Sequence, residues 1–109
     1  MGITKSEIFT NDQNTIAAFA KVLGHPARIA ILQHLLKTNA CVCGDLVGEI
    51  GLAQATISQH LKALKAVDLI QGTIEGTSVC YCINPEKWKQ IEVIFSTLFS
   101  KLKDAPNCC

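Results

Sequence analysis

Residues 52–62 read Leu52-Ala53-Gln54-Ala55-Thr56-Ile57-Ser58-Gln59-His60-Leu61-Lys62. Ile57, Leu61 and Leu64 stand at i, i+4 and i+7 and form one apolar stripe of a helix. Gln54, Thr56, Ser58, Gln59, His60 and Lys62 cover most of the remaining surface. A helix that needs only solubility commonly carries Glu/Lys pairs. This one is almost uncharged yet rich in side chains that both donate and accept hydrogen bonds, the chemistry that engages base edges and phosphates. The stretch therefore predicts a helix that reads DNA.

The flanks give that helix a setting. Upstream, Leu46, Val47 and Ile50 form the inward face of a short helix starting near Gly44. Gly51 is placed to end it in a left-handed conformation. Two helices joined by a tight glycine turn make a helix-turn-helix. Downstream, 69–75 and 77–83 read as strands turning at Glu75-Gly76, with Val79, Tyr81 and Ile83 alternating with Ser78, Cys80 and Cys82. A hairpin in this position is a wing. Toward the N-terminus, Thr10 and Gln13 have capping-box spacing, ahead of Ile16, Phe19, Ala20 and Leu23 at helical spacing. Gly24-His25-Pro26 breaks that helix, and Pro26 suits the first turn of the next. Ile29, Leu32, Leu35 and Leu36 predict a largely buried second helix. Asn84-Pro85 caps a last helix whose stripe runs Trp88, Ile91, Ile94, Phe95, Leu98, Phe99 and Leu102. So small a core cannot absorb that whole stripe, and part of it is expected to form a dimer interface. The predicted fold class is mainly α with a small β-hairpin. It is a winged helix-turn-helix over residues 1–103, dimeric through its N- and C-terminal helices, with a mobile cysteine-containing tail over 104–109.

Composition narrows the function. At 109 residues, 49% of them apolar and 17% charged, the chain is one folded domain. A net charge of +1 is low for a nucleic-acid binder, so binding rests on a local patch around His60, Lys62 and Lys65, doubled in a dimer. The N-terminus has no signal-peptide core and the chain no membrane-length apolar run, which leads to the expectation of a cytoplasmic protein with no membrane partner. No Ser/His/acid set and no phosphate-binding glycine loop occurs, so an enzyme is not expected. Six cysteines fall in three close pairs, Cys41/Cys43, Cys80/Cys82 and Cys108/Cys109. In a cytosolic protein such pairs point to metal, metalloid or redox chemistry rather than a disulfide framework. The bland alternative is cysteine acting as a small buried hydrophobe.

Taken together, these pieces resemble the arsenic-repressor (ArsR/SmtB) family of winged-helix metal and metalloid sensors. The resemblance is carried by residues 20–29 with Gly24-His25-Pro26-Ala27-Arg28, by 41–46 with Cys41-Val42-Cys43-Gly44-Asp45, by 51–64 and by 77–83. It spans nearly all of residues 15–103. It implies a homodimeric repressor on double-stranded operator DNA, released when a thiophilic ion binds. It also implies that Gln54, Thr56, Ser58, Gln59 and His60 read the major groove and Lys62 contacts phosphate. The chain departs from the family pattern at Ala53, where a capping Ser is common. It departs again at Gln59, where an Arg is common, and at Asp68, where Gly is common.

Cys41 and Cys43 match the family's arsenic-sensing Cys-x-Cys, but its third cysteine would fall near Val47 and is absent. Trivalent arsenic or antimony prefers three soft sulfurs. Period-two alternation offers a completion. If the short strand at Val42 pairs with the second wing strand, Cys41, Cys43, Cys80 and Cys82 share the face opposite Val42, Tyr81 and Ile83, on strands ~5 Å apart. Four thiolates also suit tetrahedral Cd or Zn. Cys108 and Cys109 are a second source of the missing ligand. The last helix has Glu86 and Glu92 but no His, which disfavours a zinc site there. Two readings compete with a metalloid-responsive repressor. One is a repressor switched by thiol oxidation. The other is a thiol-rich metal-binding protein whose winged helix serves only protein interaction.

Overall fold

The computed structural model describes residues 5–38, 42–43, 50–73 and 80–102. A turn of 3-10 helix, Lys5–Ile8, precedes α1 (Asn11–Leu23) and α2 (Pro26–Thr38). Strand β1 (Val42–Cys43) follows, then α3 (Gln54–Ala66), β2 (Ile70–Thr73), β3 (Cys80–Ile83) and α4 (Pro85–Phe99). The helix expected from Gly44, the wing turn at Glu75-Gly76 and the 104–109 tail lie outside the described residues.

Local chemistry sets the helix ends. Thr10 Oγ1 accepts from Gln13 N at 3.1 Å while Gln13 Oε1 accepts from Thr10 N at 3.0 Å, so the capping box closes on α1. His25 Nδ1 accepts from Ala27 N at 3.1 Å and caps α2 ahead of Pro26. Asn84 Oδ1 does the same for α4, accepting from Lys87 N. Gly51 adopts φ +85, the left-handed turn that leads into α3. At the other end of α3, Asp68 N donates to the Lys65 carbonyl at 2.9 Å and Leu69 N to the Leu64 carbonyl at 3.1 Å. With Asp68 at φ 62 this is a Schellman closure, built on a residue that carries a Cβ where glycine is easier.

The three strands form one antiparallel sheet in the order β1-β3-β2. β3 pairs with β1 through Val42↔Tyr81 and Cys43↔Cys80, and with β2 from Ile70↔Ile83 to Thr73↔Cys80. Tyr81 is fully buried beneath the sheet. Around it lie Ile31, Leu32 and Leu35 of α2, Ile57, Leu61 and Leu64 of α3, and Leu69, Ile70 and Ile91. α2 thus packs against both α3 and β3, and α1 against α2 and α4. Helix α2 is less buried than its sequence predicts: Ile29 and Leu36 lie on the exposed side. Along α4, Ile91 is buried and Trp88 and Phe95 lean on the core, whereas Val93, Leu98 and Phe99 are exposed, as is Leu102 just beyond the helix. No single described helix is long and apolar enough to cross a membrane.

Candidate DNA-reading helix and thiol strand

Burial of Ile57, Leu61 and Leu64 fixes how α3 is rolled. Gln54, Thr56, Gln59 and Lys62 are left exposed on the outer face, with Ser58 half-buried at its margin. Gln54 Nε2 reaches Ser58 Oγ at 3.5 Å, which holds two of these polar side chains side by side. Ala53 stands at the N-cap with extended backbone and makes no side-chain cap, so the first N–H groups of α3 point outward without a local side-chain acceptor.

His60, expected among the reading positions, faces the other way. It is 8% exposed, and its Nδ1 accepts from Arg28 Nε at 3.1 Å. Arg28 Nη1 in turn donates to the Val22 carbonyl at 3.1 Å, tying the end of α1 to the pair. The His25 ring lies 4.4 Å from the His60 ring, tilted by 57°. Burial, the neighbouring His25 and the Arg28 guanidinium, in that order, hold the His60 imidazole below its usual range. A neutral acceptor fits the Arg28 bond, and the residue braces α3 against α2 rather than entering a groove. Sequence reasoning missed this because the face of a mixed-polarity position is set by packing. The available signal was the four-residue step from His60 to Leu64, on the apolar stripe.

Lys65, in the last turn of α3, donates to the Gly72 carbonyl at 2.6 Å and so joins the helix to the wing strand β2. No sequence pattern announced that contact.

On the sheet, directly opposed residues of antiparallel strands share a face. The backbone register pairs Cys43 with Cys80, and Cys80 lies on the face opposite buried Tyr81. Cys82, two residues on, lies on the same face as Cys80 and is half-buried. Gln71, its partner on β2, brings Nε2 to 3.9 Å from the Cys82 sulfur. Cys82 is a free thiol and Cys80 is disulfide-bonded. Cys41, Cys108 and Cys109 also lie outside the described residues. Among the described residues no group of three or more His, Cys, Asp or Glu is placed to hold a metal ion.

A family model for bacterial regulatory proteins of the arsR family matches residues 25–71. An uncharacterized HTH-type transcriptional regulator of Methanocaldococcus jannaschii, MJ1325, is 36% identical over 76 residues, covering 69% of this chain and 84% of that protein. The HTH-type transcriptional regulator CmtR of Mycobacterium tuberculosis is 32% identical over 71 residues, 65% of this chain. The matched part spans 59% of CmtR. Among solved structures, M. tuberculosis Rv0081 superimposes with a TM-score of 0.61 at 28% identity, covering 88% of this chain and 97% of that one.

Proposed function

Since this chain belongs to the arsR family of helix-turn-helix transcriptional regulators, we propose that it represses transcription as a homodimer on operator DNA. We further propose that thiophilic ions, arsenite or antimonite first among them, release it. Two copies present two α3 helices to successive major grooves, with Gln54, Thr56, Ser58 and Gln59 at base edges and Lys62 at phosphate. The exposed run Leu98, Phe99 and Leu102 supplies an apolar surface for the second copy.

The observation that carries the sensing half is the β1–β3 register, in which Cys43 is paired with Cys80 and Cys82 shares that face. Together with the period-two alternation of the sequence, this supports the proposal of Cys41, Cys43, Cys80 and Cys82 as one thiol set. When bound, a trivalent metalloid supplies soft, directional bonds to three thiolates, and Cd or Zn would take all four. The chain's contribution is to hold the sulfurs on adjacent strands, so that coordinating them draws β1 and β3 together. The fit requires the reduced form.

The disulfide at Cys80 favours a second reading, in which the same thiols respond to oxidants. Operator binding under full reducing conditions separates the two. Release by arsenite there supports the metalloid reading. Release only by peroxide or a reactive sulfur species supports the redox one.

A further inference from the structure

Gly72 is pressed from two sides. It lies in β2 at φ +118, and a Cβ built there would come 2.9 Å from Tyr81 Cα and nearer still to the Cys80 carbonyl oxygen. Only glycine allows β2 to ride this close to β3. On its other side the Gly72 carbonyl holds the Lys65 ammonium at 2.6 Å. One residue on, Thr73 is the cross-strand partner of Cys80. The last turn of the reading helix is therefore tethered to the point of the wing that touches the backbone of Cys80.

We propose that Lys65 is a positioning residue: through Gly72 it ties the orientation of α3 to the state of the Cys80 strand, so that closing the thiol site turns the reading helix. This rests on the thiol-sensing reading above and names its route to DNA. With no side chain between Gly72 and β3 there is nothing compressible to absorb a shift of Cys80, and close-packed backbone passes the displacement on. A short charge-assisted hydrogen bond then carries it to α3. The plainer role for an exposed lysine at this place is a phosphate contact, and the two roles make different predictions.

The test compares wild type, Lys65→Met and Lys65→Arg under reductant, on an operator obtained by selection from random DNA. It reads the ratio of operator Kd with and without arsenite, and hydrogen exchange over residues 54–66 with and without arsenite. Coupling of this kind is commonly about 5–150-fold in the wild type. Lys65→Met is expected to bind arsenite at wild-type stoichiometry while its ratio falls toward one. The arsenite-induced change in α3 exchange, which needs no DNA, should vanish with it, and Lys65→Arg should restore both. A wild-type ratio and exchange response in Lys65→Met, with the salt slope of DNA binding reduced by about one, would overturn the proposal in favour of a phosphate contact. A wild type that binds no arsenite, or binds it without either response, overturns the metalloid reading itself and the inference with it.

Discussion

At the N-cap of α3, Ala53 leaves unfilled a position that a hydroxyl side chain would occupy. Its backbone is already extended, as a cap requires, so Ala53→Ser needs no rearrangement. It should stabilise the protein by about 1 kcal/mol in urea unfolding. No gain would mean that those N–H groups are satisfied in another way. His60 makes a different claim. Its folded-state pKa is lowered by burial, His25 and Arg28, so the unfolded chain takes up the proton first as pH falls. The bond to Arg28 therefore contributes fully above about pH 6.5, the unfolded value. Its contribution is lost as pH drops from there through the lowered folded value. Urea unfolding at pH 7.5 and 5.5 should show stability falling with acid, and His60→Gln should flatten part of that fall. An unchanged slope in His60→Gln would show that this residue does not set the pH dependence. The same position marks where a single sequence is least informative. Polarity placed His60 on the outer face, but Arg28, thirty-two residues earlier, supplies the donor that draws it inward.

Regular elements were legible because their signals are local. The Thr10–Gln13 box, Gly51, the Asn84-Pro85 start and the stripe of Ile57, Leu61 and Leu64 each act within a turn or two of the chain, and each is realised. Which parts of an apolar stripe point inward was not legible. Ile29 and Leu36 look like core in sequence and are exposed, because burial is decided by which elements pack against a helix and not by the apolar spacing along it. The roll of α3 yields a paired prediction. Leu61→Ala, at 3% exposure, should cost about 2–5 kcal/mol of stability. Gln59→Ala, two residues away and exposed, should leave stability within about 0.5 kcal/mol yet weaken operator binding. Equal effects on stability would mean the helix is rolled differently. For α4, Phe99 and Leu102 are 72% and 69% exposed, and Phe99 stacks on Phe95 with ring centroids 6.3 Å apart. Burying such side chains is worth roughly 1.5–3 kcal/mol each. Phe99→Glu with Leu102→Glu should convert a dimer into a monomer in sedimentation equilibrium. A variant that remains dimeric would place the interface elsewhere.

Across the whole molecule, a formal net charge of +1 means that the proposed operator binding draws on few phosphate contacts, which the proposed dimer would place twice. The architecture sets the thiol strand β3 at the centre of the sheet, with β1 on one side and β2, reached by Lys65 of the reading helix, on the other. In the proposed switch, sensing and reading meet through the sheet rather than through the apolar core. The pairing of Cys43 with Cys80 depends on strand register, which alternation suggests but only the assembled sheet defines, since a slip of one residue would turn Cys80 and Cys82 inward. Whether this thiol set switches DNA binding is read from operator Kd with and without arsenite under reductant, for wild type and for Cys80→Ser/Cys82→Ser. Wild type is expected to lose affinity by about 5–150-fold, and the double variant, which still binds operator, to lose none. Full release of the double variant by arsenite, or a wild type that arsenite leaves on its operator, would contradict this expectation.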